Sequence, residues 1–117
     1  MIDIRICEMG GDRVFLVTGG TAHIGATAMA YAGTEGGIRA EALAVPGHRE
    51  RELAEELALQ AASALGCTVT VAVGIHLDEP DRQQIADAVE EARAKMREVL
   101  RQARATGQAA DGQRGSG

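Results

Sequence analysis

The chain contains three histidines, His23, His48 and His76, each in a short segment of turn-forming residues. The segments read Gly19-Gly20-Thr21-Ala22-His23-Ile24-Gly25, Pro46-Gly47-His48-Arg49-Glu50 and Gly74-Ile75-His76-Leu77-Asp78-Glu79. An imidazole can donate or accept a hydrogen bond, ligate a metal, or change charge near neutral pH. Three of them brought together could hold zinc with a water in the fourth position, Glu50, Asp78 or Glu79 then serving as bases or as partners of the ligands. Their wide separation along the chain is not a metal-motif spacing, and no metal ligand is assigned among them. Histidines that donate to a bound ligand, or that merely satisfy their own loops, are the competing readings. The glycine segment lacks the Gly-Lys-Ser/Thr ending of a phosphate loop and is not GxGxxG. Its glycines, without Cβ, allow backbone to lie close to a ligand, and a plain turn is the alternative.

A nucleophile is hard to find. Ser63 falls on an apolar helix and Ser116 near the chain end, while Cys7 has no positioned partner and Cys67 falls at the end of the sheet away from the histidines. Covalent catalysis is therefore poorly supported, and a non-catalytic accessory protein is expected over a free-standing enzyme. The two cysteines show no CxxC spacing and sit in apolar, strand-like surroundings, which reads as buried reduced thiols in a cytoplasmic protein.

The elements that must position the histidines follow from periodicity. Ile2, Ile4 and Ile6 alternate with polar residues as in a half-buried strand, and Gly10-Gly11-Asp12 marks a hairpin turn. Val14 to Val17 reads as a strand covered on both faces. Ala26 to Ala32 is a third strand with alanines on one face, and Ile38 to Val45 a fourth. Leu53, Leu57, Ala61 and Leu65 give one apolar helical face between His48 and Leu65, with Gly66 as the residue after the helix. Alternating Cys67, Val69, Val71, Val73 and Ile75 make the clearest strand. Ile85, Val89, Ala92, Met96 and Val99 predict the seam of a second helix, starting near Pro80 and ending near Ala105. Residues 106–117 lack periodicity and read as a disordered tail.

The expected fold is a single α/β (α+β) domain over residues 1–105, in the order ββββαβα, with two helices on a mostly antiparallel sheet. Tight links suggest an antiparallel meander for the first four strands. Following the chain direction then places all three histidine segments, and the N-termini of both helices, at one end of the sheet. Two helix N-termini beside Arg49 favour an anion there.

Composition excludes several classes. Phe15 and Tyr31 are the only aromatic residues and the net charge is −5, so neither base stacking nor a phosphate backbone is a natural target. No stretch approaches the roughly 20 apolar residues of a membrane span, and the first residues lack the pattern of a signal peptide.

Across its three histidine segments the chain resembles the prenylated-flavin chaperone family, the LpdD-like D subunits that accompany UbiD-type hydroxyarylic-acid decarboxylases. The likeness covers about residues 2–100. It implies a fold similar to proteasome assembly chaperones, commonly a homodimer, which binds prenylated FMN (or FMN) and assists its maturation or its delivery to the decarboxylase large subunit. Under that resemblance His23, His48, Arg49 and His76 line the flavin site, with Gly47 beside them. Gly19, Gly20, Thr21, Ile24 and Gly25 approach the ligand, and a helix N-terminus takes its phosphate. With so few aromatic residues, aliphatic side chains or a second subunit must cover the isoalloxazine. A small histidine-ligated metal hydrolase and a purely structural assembly chaperone are the alternatives.

Overall fold

The computed structural model describes the backbone of residues 1–114 and the side chains of residues 1–106. Its elements run β1 (Ile2–Met9), β2 (Asp12–Gly19), β3 (Ala26–Ala32), β4 (Ile38–Ala44), α1 (Arg51–Leu65), β5 (Val69–Ile75) and α2 (Arg82–Arg114). This is the expected ββββαβα order in an α+β domain. Among the described residues, no helix is long and apolar enough to cross a membrane. Helical backbone continues past the end expected near Ala105 to Arg114, because extending a formed helix adds one hydrogen bond per residue fixed. The reading of 106–117 as disordered falls on residues whose side chains (from 107) and final backbone (115–117) lie outside the described residues.

The sheet is not a meander. Its strand order is β1-β2-β5-β3-β4, so β5 is inserted between β2 and β3. It runs parallel to β2 and antiparallel to β3, while the β1–β2 and β3–β4 pairs are antiparallel hairpins. The cause lies in β5 itself. Val69, Val71 and Val73 are fully buried, and a strand that apolar is best covered in the centre of a sheet, with ladder bonds on both edges. The helix–strand unit α1–β5 supplies the crossover that a parallel neighbour requires.

Both helices cover one face of the sheet. Phe15, Val17, Ala26, Ala28 and Ala30 join the β5 valines there, and the facing side of α1 presents Leu53, Ala54, Leu57, Ala58, Ala61 and Ala62, all buried. Alanine opposite alanine lets α1 approach β3 closely, which close packing of an interior demands when large side chains are few. The outer residues Val14 and Leu16 are only partly buried, so β2 is not covered on both faces as its apolar run suggests. On α2 the buried seam is Ala88, Ala92, Met96 and Leu100. It is rotated from the expected one: Ile85 is 42% exposed and Val89 half-buried. Gly66 ends α1 in the left-handed conformation (φ 66°) with its N–H on the Ala62 carbonyl, as its position after the helix predicts.

The cysteines are free, but they are not buried: Cys7 is exposed and Cys67 intermediate. Cys7 alternates with the inward isoleucines of β1, and Cys67 precedes β5, which begins at Val69.

Candidate functional site

The inserted strand explains how the histidines meet. Because β5 separates β2 from β3, the segment joining them must bridge the C-terminal end of β5. The bridge is held by backbone bonds: His76 N–H donates to the Gly19 carbonyl and Gly25 N–H to the Val73 carbonyl, both at 2.8 Å. It lies so close that a Cβ at Gly74 would fall 1.6 Å from the His23 carbonyl oxygen, and one at Gly20 2.1 Å from that of His76. Gly20 also has φ +70°, a conformation other residues rarely adopt. The adjoining β4 end is tied in by Val45 N–H to the Gly25 carbonyl and His48 N–H to that of Val45.

The three rings gather as a result. The His23 ring centroid lies 5.3 Å from that of His48 and 6.2 Å from that of His76. Each ring has a local partner that assigns a proton. His23 Nδ1–H donates to the Thr21 carbonyl at 3.1 Å and His48 Nδ1–H to that of Pro46 at 3.3 Å. His76 Nε2–H donates to the Asp78 carboxylate at 3.1 Å. A carbonyl only accepts, so the nitrogen facing it carries hydrogen. In the neutral rings this leaves Nε2 of His23 and His48, and Nδ1 of His76, as acceptors.

Around the rings is a cavity of about 490 Å³, within the range of roughly 300–1,000 Å³ of small-molecule sites. His23, Gly47, His48, Arg49, Glu50 and His76 form its polar side, and Leu53, Ile75, Leu77, Pro80, Ile85, Ala88 and Val89 its apolar side. Of the residues expected at the site, His23, Gly47, His48, Arg49 and His76 are thus together. Gly19, Gly20, Thr21, Ile24 and Gly25 are not among the lining residues. Gly20 and Gly25 approach the protein's own chain, and Ile24 is 65% exposed.

The apolar wall escapes a reading by periodicity because Ile85 and Val89 fit a core seam as well as a pocket wall. Glu50 also stands out. Its side chain is 14% exposed and Oε1 is 3.7 Å from His23 Nε2, while Oε2 is buried with no hydrogen-bond partner.

The two helix N-termini differ. At α2, Gln84 N–H donates to the Asp81 carboxylate at 2.8 Å and Asp81 N–H to the Gln84 side chain at 2.9 Å. This reciprocal capping box takes up the Gln84 N–H of the first turn and adds negative charge there. At α1 no side chain caps the first turn, which leaves its N–H groups free to meet an anion beside Arg49. The expectation of two open N-termini is thus corrected to one. Before α2, Glu79 adopts φ 42°, a left-handed backbone of the kind that concentrates at functional turns.

A family model described as prenylated flavin chaperone LpdD-like domain matches residues 1–104. The chain belongs to this family. No curated protein matches it.

The residues present fit the group that the LpdD-like family is named for. A flavin needs a flat apolar surface, donors and acceptors for its ring edge, and a cationic end for its phosphate. Leu53, Leu77, Ile85 and Val89 would supply the first, the imidazoles the second, and Arg49 with the open α1 terminus the third. The fit to zinc is poorer. Two imidazoles direct Nδ1 to their own loops, and no group of three or more His, Cys, Asp or Glu among the described residues is arranged to hold a metal ion.

Proposed function

We propose that this LpdD-like protein binds prenylated FMN at the histidine end of its sheet and assists the maturation of that cofactor or its delivery to a UbiD-type decarboxylase. The observation that carries the reading is one cavity with an aliphatic wall, three imidazoles and an uncapped helix N-terminus beside Arg49. His48 and Arg49, which directly precede α1, hold the phosphate end. His23 and His76 meet the ring edge, and the aliphatic wall covers one ring face in place of aromatic side chains. When bound, the cofactor brings its own redox and carbon–carbon chemistry; the protein shelters and orients it. Among the described residues, none lining the cavity is a serine or cysteine nucleophile, which suits an accessory protein.

The reading includes a homodimer. Leu43 is 73% exposed and Met29, Val45 and Ile24 are exposed around it, on or beside the sheet-edge pair β3–β4 and next to His23 and His48. Exposed apolar groups of this kind mark interaction surfaces, and a second copy there supports cover for the other flavin face.

The test is anaerobic gel filtration of the purified protein with prenylated FMN and, separately, with FMN. Prenylated-flavin absorbance co-eluting with a dimer is expected. Retention of neither flavin overturns the binding reading, and elution as a monomer overturns the homodimer.

A further inference from the structure

Glu50 holds the N-cap position of α1, where a polar side chain ordinarily accepts from the first turn, yet it caps nothing. Its carboxylate turns inward instead, with Oε1 3.7 Å from His23 Nε2 and Oε2 buried without a hydrogen-bond partner. Burying an unpartnered carboxylate oxygen opposes folding, so stability alone does not select this geometry. Room for it exists because residue 25 is glycine: a Cβ there would fall 2.3 Å from Oε2 and 2.7 Å from Cδ. On the other side of the ring, His23 Nδ1–H is committed to the Thr21 carbonyl. His23 is also the ring with both of the others as neighbours, so its orientation sets the polar side of the cavity.

We infer that Glu50 is a positioning residue. With N–H on both nitrogens, the His23 ring is clamped between the Thr21 carbonyl, which accepts from Nδ1–H, and the Glu50 carboxylate, which pairs with Nε2–H, and Gly25 admits that carboxylate. The identity of the ligand rests on the function proposed above; the clamp belongs to the free protein.

Imidazole nitrogen NMR on the ligand-free full chain tests this, since only three histidines contribute signals. One fixed His23 ring state, with N–H on both nitrogens, is expected. Glu50→Ala releases the ring and mixes its tautomers. Glu50→Gln still holds a single state, now the neutral ring protonated at Nδ1, because its amide N–H can donate to the Nε2 lone pair. Gly25→Ala, which displaces the carboxylate, matches Glu50→Ala; if it does not fold, the two Glu50 variants decide. Prenylated-FMN affinity falls about tenfold in Glu50→Ala, as when the partner orienting a ligand-holding histidine is lost. An unchanged His23 state in Glu50→Ala, with only the melting temperature lowered, overturns the inference. A His23 response of the expected kind with no flavin bound by any form retains the clamp and removes the flavin reading.

Discussion

At the scale of single residues, the proposed site rests on groups that can lend hydrogen bonds and charge. Arg49 is exposed, lines the cavity and adjoins the uncapped start of α1. A guanidinium and free backbone N–H groups are suited to a phosphate. Arg49→Ala should weaken prenylated-FMN binding about tenfold to a hundredfold, the value of about 1.5–3 kcal/mol for a hydrogen bond to a charged group. Calorimetry checks it, and the same substitution should leave the dephosphorylated prenylated flavin unaffected. Equal losses for both ligands would place Arg49 elsewhere on the ring. The histidines were legible in the sequence because turn residues flank all three. In the sequence Glu50 reads only as a base or partner for zinc ligands; its inward turn was not legible, because it depends on the missing Cβ of Gly25, 25 positions earlier in the chain.

At the scale of elements, two contacts decide whether the parts stay in place. The first ties α2 to the start of β1: Glu91 accepts from the Ile2 N–H at 2.7 Å and pairs with the terminal ammonium at 3.0 Å, while Lys95 donates to the Ile2 carbonyl at 2.6 Å. The Ile2 N–H foremost, then the ammonium, hold the Glu91 carboxyl below its ordinary value of 4.5. A depressed folded value means that this stabilisation is complete above about 4.5 and is lost as pH falls through the lower, folded value. Glu91→Gln should therefore lower the melting temperature at neutral pH, with the gap to the unsubstituted protein closing in acid. A gap independent of pH would contradict the assignment. The second contact is the bridge over β5. Gly74→Ala sets a Cβ against the His23 carbonyl and should cost about 3 kcal/mol, the upper end for overpacking, measured by urea unfolding. Strand boundaries were readable here, since Val69, Val71 and Val73 alternate cleanly. Strand order was not, because the insertion of β5 is a long-range pairing that no local period encodes. The direction of each strand was enough to gather the histidines; the insertion explains why the glycine segment is bonded across the end of β5, through Gly25 N–H to Val73 and His76 N–H to Gly19.

At the scale of the whole molecule, helices cover one sheet face, a cavity opens where the end of β5 and both helix starts meet, and exposed aliphatic residues lie on and beside the β3–β4 edge. This arrangement suits a carrier that shelters a cofactor and then releases it to a larger partner. The family model matching residues 1–104 is that of a prenylated flavin chaperone LpdD-like domain, and in the proposed site the aliphatic wall on α1 and α2 stands in for aromatic residues. The most direct measurement is an anaerobic titration of the protein with prenylated FMN, followed by the imidazole resonances of His23, His48 and His76. All three should shift together and saturate with one flavin per chain. Flavin bound with none of the three resonances moved would contradict the placement of the site, and no binding at all would contradict the function.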